Sequence, residues 1–342
     1  MANNTSCTYL FVENKKIYEK WASKTYPYKC DRIEQDRRFK FVDIGEGHID
    51  VKKLENIDTL IFGWHGIPIN KYYTSRHSFY AKKVAGLEES EHIKKIIKPV
   101  LDLPCKKYIV VQDMHDEDYL GGVEGLINYI KQTGINGIIT PYLETDSIRK
   151  CQKHIPELDI IWLPHHIDSK FFRNWKKGDK KYDILLFGND HAKFYPFRNR
   201  LIRLLSSKED IFVIHKIDKP RNYFRYNAAV SDRKLSTKIS ESWLTLCTPS
   251  KLDYLLGKYF ETAMSGSVVL GNMATDGEKI WEDNYIQLDP SMSDEEILET
   301  VSNALDNKKD LLSKAQLMEN KISYYSLDNF TEHLVAKLIM KS

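Results

Sequence analysis

Hydrophobic residues in this chain form short runs rich in β-branched side chains, and amphipathic stretches separate the runs. Such runs predict buried strands, and the stretches between them have helical periodicity. In the first half we predict strands at 8–12, 39–44, 59–63, 108–112, 137–140 and 160–163, with helices at 91–101, 122–133 and 145–154.

The second half repeats this alternation of strands and helices. Its predicted strands are 182–187, 211–214, 244–247, 268–271 and 285–288, and its predicted helices are 196–205, 253–264, 294–306, 310–322 and 327–340. Strands that alternate with helices and are apolar throughout favour parallel sheets covered on both faces. The fold class is therefore α/β, with two doubly wound Rossmann-like domains.

A charged, turn-rich stretch marks the boundary between the two halves. We predict a first domain at 1–172, a linker at 173–181 and a second domain at 182–325. A terminal helix at 326–342 has an apolar stripe and could pack back on the first domain.

The chain has 342 residues, with 51 basic and 48 acidic side chains and a formal net charge of +3. This balance gives no reason to expect nucleic acid as a partner. The five cysteines form no CxxC pair, which argues against a disulfide framework or a zinc site and favours a reducing, cytoplasmic location. The first residues lack the pattern of a signal peptide, and no apolar run is long enough to cross a membrane. A peripheral contact with a membrane and the oligomeric state are left open.

Ligands of doubly wound sheets bind beyond the carboxyl ends of the strands. In the second half, Asp253 and Glu261 follow the predicted strand at 244–247 and are eight residues apart. A carboxylate there can accept two hydrogen bonds from a ribose diol. Ser265 and Gly266 then end the predicted helix, with the glycine suited to a left-handed cap.

This segment resembles the signature of GT-B glycosyltransferases of the glycosyl-transferases-group-1 type, especially the branch similar to CgeB proteins. Glu261, Ala263, Ser265 and Gly266 match the pattern of an acid, seven residues, Glu, small residues and Gly before a strand. The resemblance implies a GT-B architecture with two domains facing across a cleft. It assigns the ribose to Glu261 and places the first acid, here Asp253, near the donor sugar.

A diphosphate leaving group needs fixed cations and close backbone approach. Gly188 ends the strand that resembles the first strand of the family's nucleotide domain. Arg198 stands near the start of the next helix, Lys216 follows the next strand, and Lys258 precedes Glu261 by three residues. These four complete the predicted donor site.

Acceptor-side candidates lie in the first half. His115 follows the strand at 108–112, where many family members carry a histidine that lines the donor-sugar pocket. His65, beside Trp64 and between two glycines, is a second candidate, and Glu144 is a weaker one. Asp168 matches the family's crossing segment, in which a turn or cap role is expected. The catalytic candidates are therefore His115, His65 and Asp253.

The resulting hypothesis is transfer of a hexose-type unit from a nucleoside-diphosphate sugar, UDP- or GDP-linked first, to a hydroxyl of a glycan, lipid or protein-linked acceptor. The resemblance favours retention at the anomeric carbon and no required metal or other cofactor. An inverting enzyme would need a base such as His115, His65 or Asp113.

Three alternatives remain open at this point. A sugar-nucleotide 2-epimerase shares the architecture, and a non-catalytic nucleotide-sugar-binding protein would show the same motifs. The triplet Asp116-Glu-Asp118 is a DxD that would bind a divalent metal in a metal-dependent transferase. A Rossmann oxidoreductase is disfavoured, because no GxGxxG follows a predicted strand.

Overall fold

The structure is a computed structural model that describes residues 9–13, 25–43, 54–63, 98–112, 114–115, 121–217 and 232–341. It divides into two compact units: Met1–Pro164 with Thr331–Ser342, and His165–Phe330. Residues 165–172, which the sequence assigned to the first domain, are thus part of the second unit, and the end of the chain is part of the first.

Within the described residues, the first unit contains one sheet of six parallel strands in the order β2-β1-β3-β4-β5-β6. Side chains of β1 and β3 are buried throughout, as expected for strands covered on both faces. The strands are β1 (Tyr9–Glu13), β2 (Phe39–Asp43), β3 (Thr59–Phe62), β4 (Lys106–Val110), β5 (Gly137–Thr140) and β6 (Asp159–Trp162).

Helices of this unit follow the same alternation. Thr145 begins α4 by accepting a hydrogen bond from Ile148 N at 3.3 Å. The last helix lies almost wholly in this unit, where Arg38 Nη2 donates to Glu332 Oε1 at 2.6 Å. The helices are α1 (Thr25–Gln35), α2 (Lys98–Leu101), α3 (Gly122–Thr133), α4 (Asp146–His154) and, at the end of the chain, α11 (Phe330–Ile339).

Among its described residues, the second unit contains one sheet of five parallel strands in the order β11-β10-β9-β7-β8. The strands are β7 (Tyr182–Leu186), β8 (Ile214–Lys216), β9 (Ser242–Leu246), β10 (Val268–Gly271) and β11 (Ile286–Gln287). The helices are α5 (Pro196–Ser206), α6 (Asp232–Ser240), α7 (Gly257–Met264), α8 (Thr275–Trp281), α9 (Asp294–Asp306) and α10 (Lys308–Ile322). Apolar side chains of the strands pack with those of α5, α9 and α10 in one core.

Strand order in the second sheet decides where a ligand can enter. The chain passes from β7 to β8 on one side and then crosses to β9 on the other side of β7. The carboxyl ends of β7 and β9 therefore flank the point where the strand order reverses. A crevice at such a switch point is where doubly wound sheets bind ligands.

Most predicted elements of this unit differ from the structure by one or two residues at an end, and two differ by more. The strand expected at 211–214 is a turn, in which Lys208 O accepts hydrogen bonds from Ile211 N and Phe212 N, and β8 begins only at Ile214. The helix expected from Asp253 begins at Gly257, because Asp253 has a positive φ of 58° that a helix cannot contain.

Candidate donor site

The loop after β7 is shaped by Gly188. Its φ of +94° lies in the region that favours glycine. A Cβ at this position would lie 3.3 Å from Lys258 Nζ and 3.7 Å from Arg198 Nη1. The glycine therefore leaves backbone open beside two cationic side chains at the carboxyl end of β7.

Arg198 joins the two loops at the switch point. The side chain is 2% exposed; its Nη1 donates to Asn189 O at 2.9 Å and its Nε donates to Thr248 Oγ1 at 3.1 Å. Its Nη2 donates to Thr248 O, and the guanidinium carbon lies 4.1 Å from the centre of the Tyr195 ring. Arg198 thus fixes the loop after β7 against the loop after β9 and places a permanent positive charge beneath them.

Lys258 is the second cation of this site. It lies in the first turn of α7, is 8% exposed, and donates from Nζ to Phe187 O at 2.9 Å. Burial, with the Arg198 charge adding to it, lowers the pKa of Lys258 to about 7. An anion bound between the two cations would offset both causes and favour the protonated lysine.

Glu261 follows one turn later on α7 and is only partly exposed. Burial raises the pKa of its carboxyl to about 7, the negative charge of Asp232 raises it further, and Lys258 opposes the shift. An acid with a raised pKa one helical turn from a base with a lowered pKa is typical of a functional site. The helix presents both from the same side, since residues three apart are neighbours on a helix.

Asp253, the first acid of the predicted motif, lies in a turn before α7. Both of its carboxylate oxygens accept a hydrogen bond from Thr275 N, at 3.2 and 3.3 Å. The carboxylate therefore stabilises the start of α8. Its predicted contact with the donor sugar stays a prediction.

The remaining donor-site candidates have different surroundings. Gly266 has the left-handed conformation expected of a helix cap, with φ +76°. Ser265 is buried and its Oγ lies 2.9 Å from Ser236 Oγ, so it holds α7 to α6. Lys216 is the last residue of β8 and is exposed.

The acceptor-side candidates are described only in part. His115 lies in a turn after β4 and is partly exposed, whereas Trp64, His65, Asp113, Asp116 and Asp118 lie outside the described residues. Glu144 is on the surface, 3.9 Å from Arg149 Nη1. Asp168 Oδ1 accepts a hydrogen bond from Lys170 N at 2.9 Å, which confirms the role in a turn that the sequence predicts.

Sequence reasoning missed Thr248 and Asn189, the groups that hold Arg198. Asn189 lies three residues after β7 and Thr248 two residues after β9, so the rule that ligands bind at the carboxyl ends of strands could have found them. In the described part of the chain, no three His, Cys, Asp or Glu side chains form a group able to hold a metal ion. The same residues contain no helix with the length and apolar character needed to span a bilayer.

Neither a scan against family models nor a comparison with curated proteins found a match. Solved structures do match. Anabaena HepE in complex with UDP and glucose is similar at 9% identity and a TM-score of 0.56, over 97% of this chain and 99% of HepE. A glycosyltransferase from Rickettsia africae has 9% identity and a TM-score of 0.52, over 97% of each chain.

Sucrose-phosphate synthase from Thermosynechococcus elongatus is similar at 8% identity and a TM-score of 0.52, over 98% of this chain and 89% of the synthase. These proteins are GT-B glycosyltransferases, and the likeness extends over both units. The chain therefore has the GT-B fold.

Proposed function

We propose that this protein is a glycosyltransferase that binds a nucleoside-diphosphate sugar at the carboxyl edge of the second sheet. The observation that carries the proposal is the convergence of Gly188, Arg198 and Lys258 at the switch point between β7 and β9. Open backbone beside two buried cations suits a diphosphate. A UDP-sugar is the first donor to test, because HepE was solved with UDP and glucose.

Each part of the donor has a proposed partner on this unit. Lys258 and the backbone at Gly188 would bind the diphosphate, and Glu261 would accept hydrogen bonds from the ribose hydroxyls. Lys258 in its protonated form would stabilise the negative charge that develops on the leaving diphosphate. Arg198 contributes its charge while its donors hold the two loops.

The finer parts of the proposal come from the family resemblance. Transfer would proceed with retention at the anomeric carbon, without a required metal, to a hydroxyl of a glycan, lipid or protein-linked acceptor. His115 is the acceptor-side candidate among the described residues. An anomeric configuration in the product opposite to that of the donor would refute retention.

Thermal unfolding with a panel of UDP-, GDP-, ADP-, CMP- and dTDP-sugars, with and without EDTA, tests the binding step. A ligand that binds only the folded protein raises the unfolding temperature. We expect one nucleotide class to stabilise the protein with and without EDTA, and Glu261→Ala to remove the effect. Lack of any shift would refute the proposal.

Turnover is tested with the stabilising donor and a panel of hydroxyl acceptors. Release of the nucleoside diphosphate that depends on the acceptor is the expected result. Conversion of the donor sugar without an acceptor would indicate a 2-epimerase instead. Tight binding with no turnover on any acceptor would indicate a binding protein.

A further inference from the structure

Asn272 directly follows β10 at the same edge of the second sheet. It is preceded by Gly271, whose φ is +140° and at which a Cβ would collide with the carbonyl oxygen of Cys247. The backbone at Asn272 therefore lies close against the end of β9. The next residue there, Thr248, is the one that holds Arg198, so Asn272 is a near neighbour of the proposed diphosphate site.

Hydrogen bonds fix the segment 272–275 at both ends. Tyr259 Oη, on α7, donates to Asn272 O at 2.7 Å. At the other end, Thr275 N donates to the Asp253 carboxylate at 3.2 and 3.3 Å. The backbone of Asn272 is thus held by the helix that carries Lys258 and Glu261.

The side-chain carbonyl of Asn272 is not satisfied by the described part of the protein. Its Oδ1 is buried and has no hydrogen-bond partner among the residues that the structure describes. A buried polar atom left in this state destabilises the free protein unless a partner is supplied. A ligand hydroxyl would satisfy it if the amide turned toward the carboxyl edge of the sheet, a rotation that the broad terminal torsion of asparagine permits.

Helix α7 separates two sides of the proposed donor site. Glu261 lies toward Asp232 at the start of α6, since the two charges interact. Tyr259 reaches in the other direction to Asn272. If the ribose is bound by Glu261 and the diphosphate by Lys258, the sugar is directed to the side of Asn272. Because neighbouring strands are about 4.8 Å apart, β10 lies roughly 10 Å from β7, which is far enough to pass from diphosphate to sugar.

We propose that Asn272 is a specificity-determining residue that recognises a hydroxyl of the donor sugar through its side-chain amide. This inference rests on the proposed function and names a residue that selects the donor sugar. Either end of an amide can bond a hydroxyl, because a hydroxyl both donates and accepts. The contact distinguishes sugars that carry the hydroxyl from sugars that lack it or present it on the other face of the ring.

The test compares the nucleotide with and without its sugar. Calorimetric titrations of UDP and UDP-glucose, or of the corresponding pair from the stabilising class, are made with wild type, Asn272→Ala and Asn272→Leu. The leucine variant fills a similar volume and removes the buried polar atom, so it keeps the fold if the alanine variant does not. Ser206→Ala is the matched control, because Ser206 Oγ is also buried without a partner but lies at the end of α5.

We expect the affinity for the free nucleotide to stay within about twofold and the affinity for the sugar nucleotide to fall about tenfold in both Asn272 variants, with no change in the control. Equal losses for both ligands would mean that Asn272 only supports the loop, and no loss for either would mean that it does not touch the donor. Both results overturn the inference while leaving the proposed function intact. A wild-type protein that binds neither ligand would instead refute the proposed function.

Discussion

The pKa of Lys258 leads to a quantitative prediction for donor binding. In the free protein burial lowers this pKa to about 7, whereas a bound diphosphate would favour the protonated amine and raise the pKa toward its ordinary value of 10.5. Binding above pH 7 must therefore take up a proton, and affinity must fall as pH rises. The perturbation is Lys258→Met, which keeps most of the stem and removes the titrating group.

The magnitude follows from the two protonation states. At pH 8.5, which is 1.5 units above a pKa of about 7, protonating the free-state lysine costs roughly 2 kcal/mol, or about 30-fold in affinity. At pH 6 the lysine is already protonated and this cost is absent. The advantage of wild type over Lys258→Met should therefore shrink about 30-fold between pH 6 and pH 8.5.

Calorimetric titration of a nucleoside-diphosphate sugar over this pH range is the assay. Both proteins also carry Glu261→Gln, because the charge of Lys258 lowers the pKa of Glu261 and the lysine variant would otherwise change that titration too. The ratio of the dissociation constants of variant and wild type in this background isolates Lys258. Lys216→Met is the control, since Lys216 is an exposed lysine at the same edge of the sheet. It should retain the wild-type dependence on pH. A ratio that does not change with pH would refute the assignment of Lys258 to the diphosphate.

Further variants separate conformation, charge and stability. Gly188→Ala should lower the unfolding free energy by about 1 kcal/mol or more and should weaken donor binding at least tenfold. Gly178→Ala, at a position with a similar φ of +100° and no atom near its Cβ, should lower only the stability. Equal donor affinities of the two variants would contradict the role of Gly188. Arg198→Met should cost about 3 kcal/mol in urea unfolding because Thr248 and Asn189 lose buried donors, and a change below 1 kcal/mol would show that the loops do not depend on it. The pKa of Glu261 is higher in the folded protein than the usual 4.5, so its contribution to stability is full below pH 4.5 and is lost as pH rises to about 7. Glu261→Gln should therefore reduce the dependence of the unfolding free energy on pH over this range. An unchanged dependence on pH would contradict the raised pKa.

The parallel sheets were predictable because their strands are continuous apolar runs. Periodicity alone failed where a local turn intervened. Ile211 and Val213 have the composition of a strand but are more than half exposed, since Phe212 alone points into the core. Asp253 precedes a stretch with helical periodicity, yet its positive φ and its hydrogen bond from Thr275 N place it in a turn.

The candidate site could be predicted as a set of residue types but not as a set of contacts. Gly188, Arg198 and Lys258 were each proposed from their places after strands or at helix starts, and the structure brings the three together. The support from Thr248 depends on a pairing with Arg198 across 50 residues, which no local pattern encodes. The orphaned amide of Asn272 is likewise a result of packing. The resemblance to the CgeB branch and the binding roles of these residues stay predictions.

A structure of the protein with a bound nucleoside-diphosphate sugar tests the central claim most directly. We expect the diphosphate at the carboxyl ends of β7 and β9, within hydrogen-bond distance of the Gly188 backbone and Lys258 Nζ, with the ribose on Glu261. A nucleotide bound at any other place, or a diphosphate that contacts neither Gly188 nor Lys258, would contradict the account.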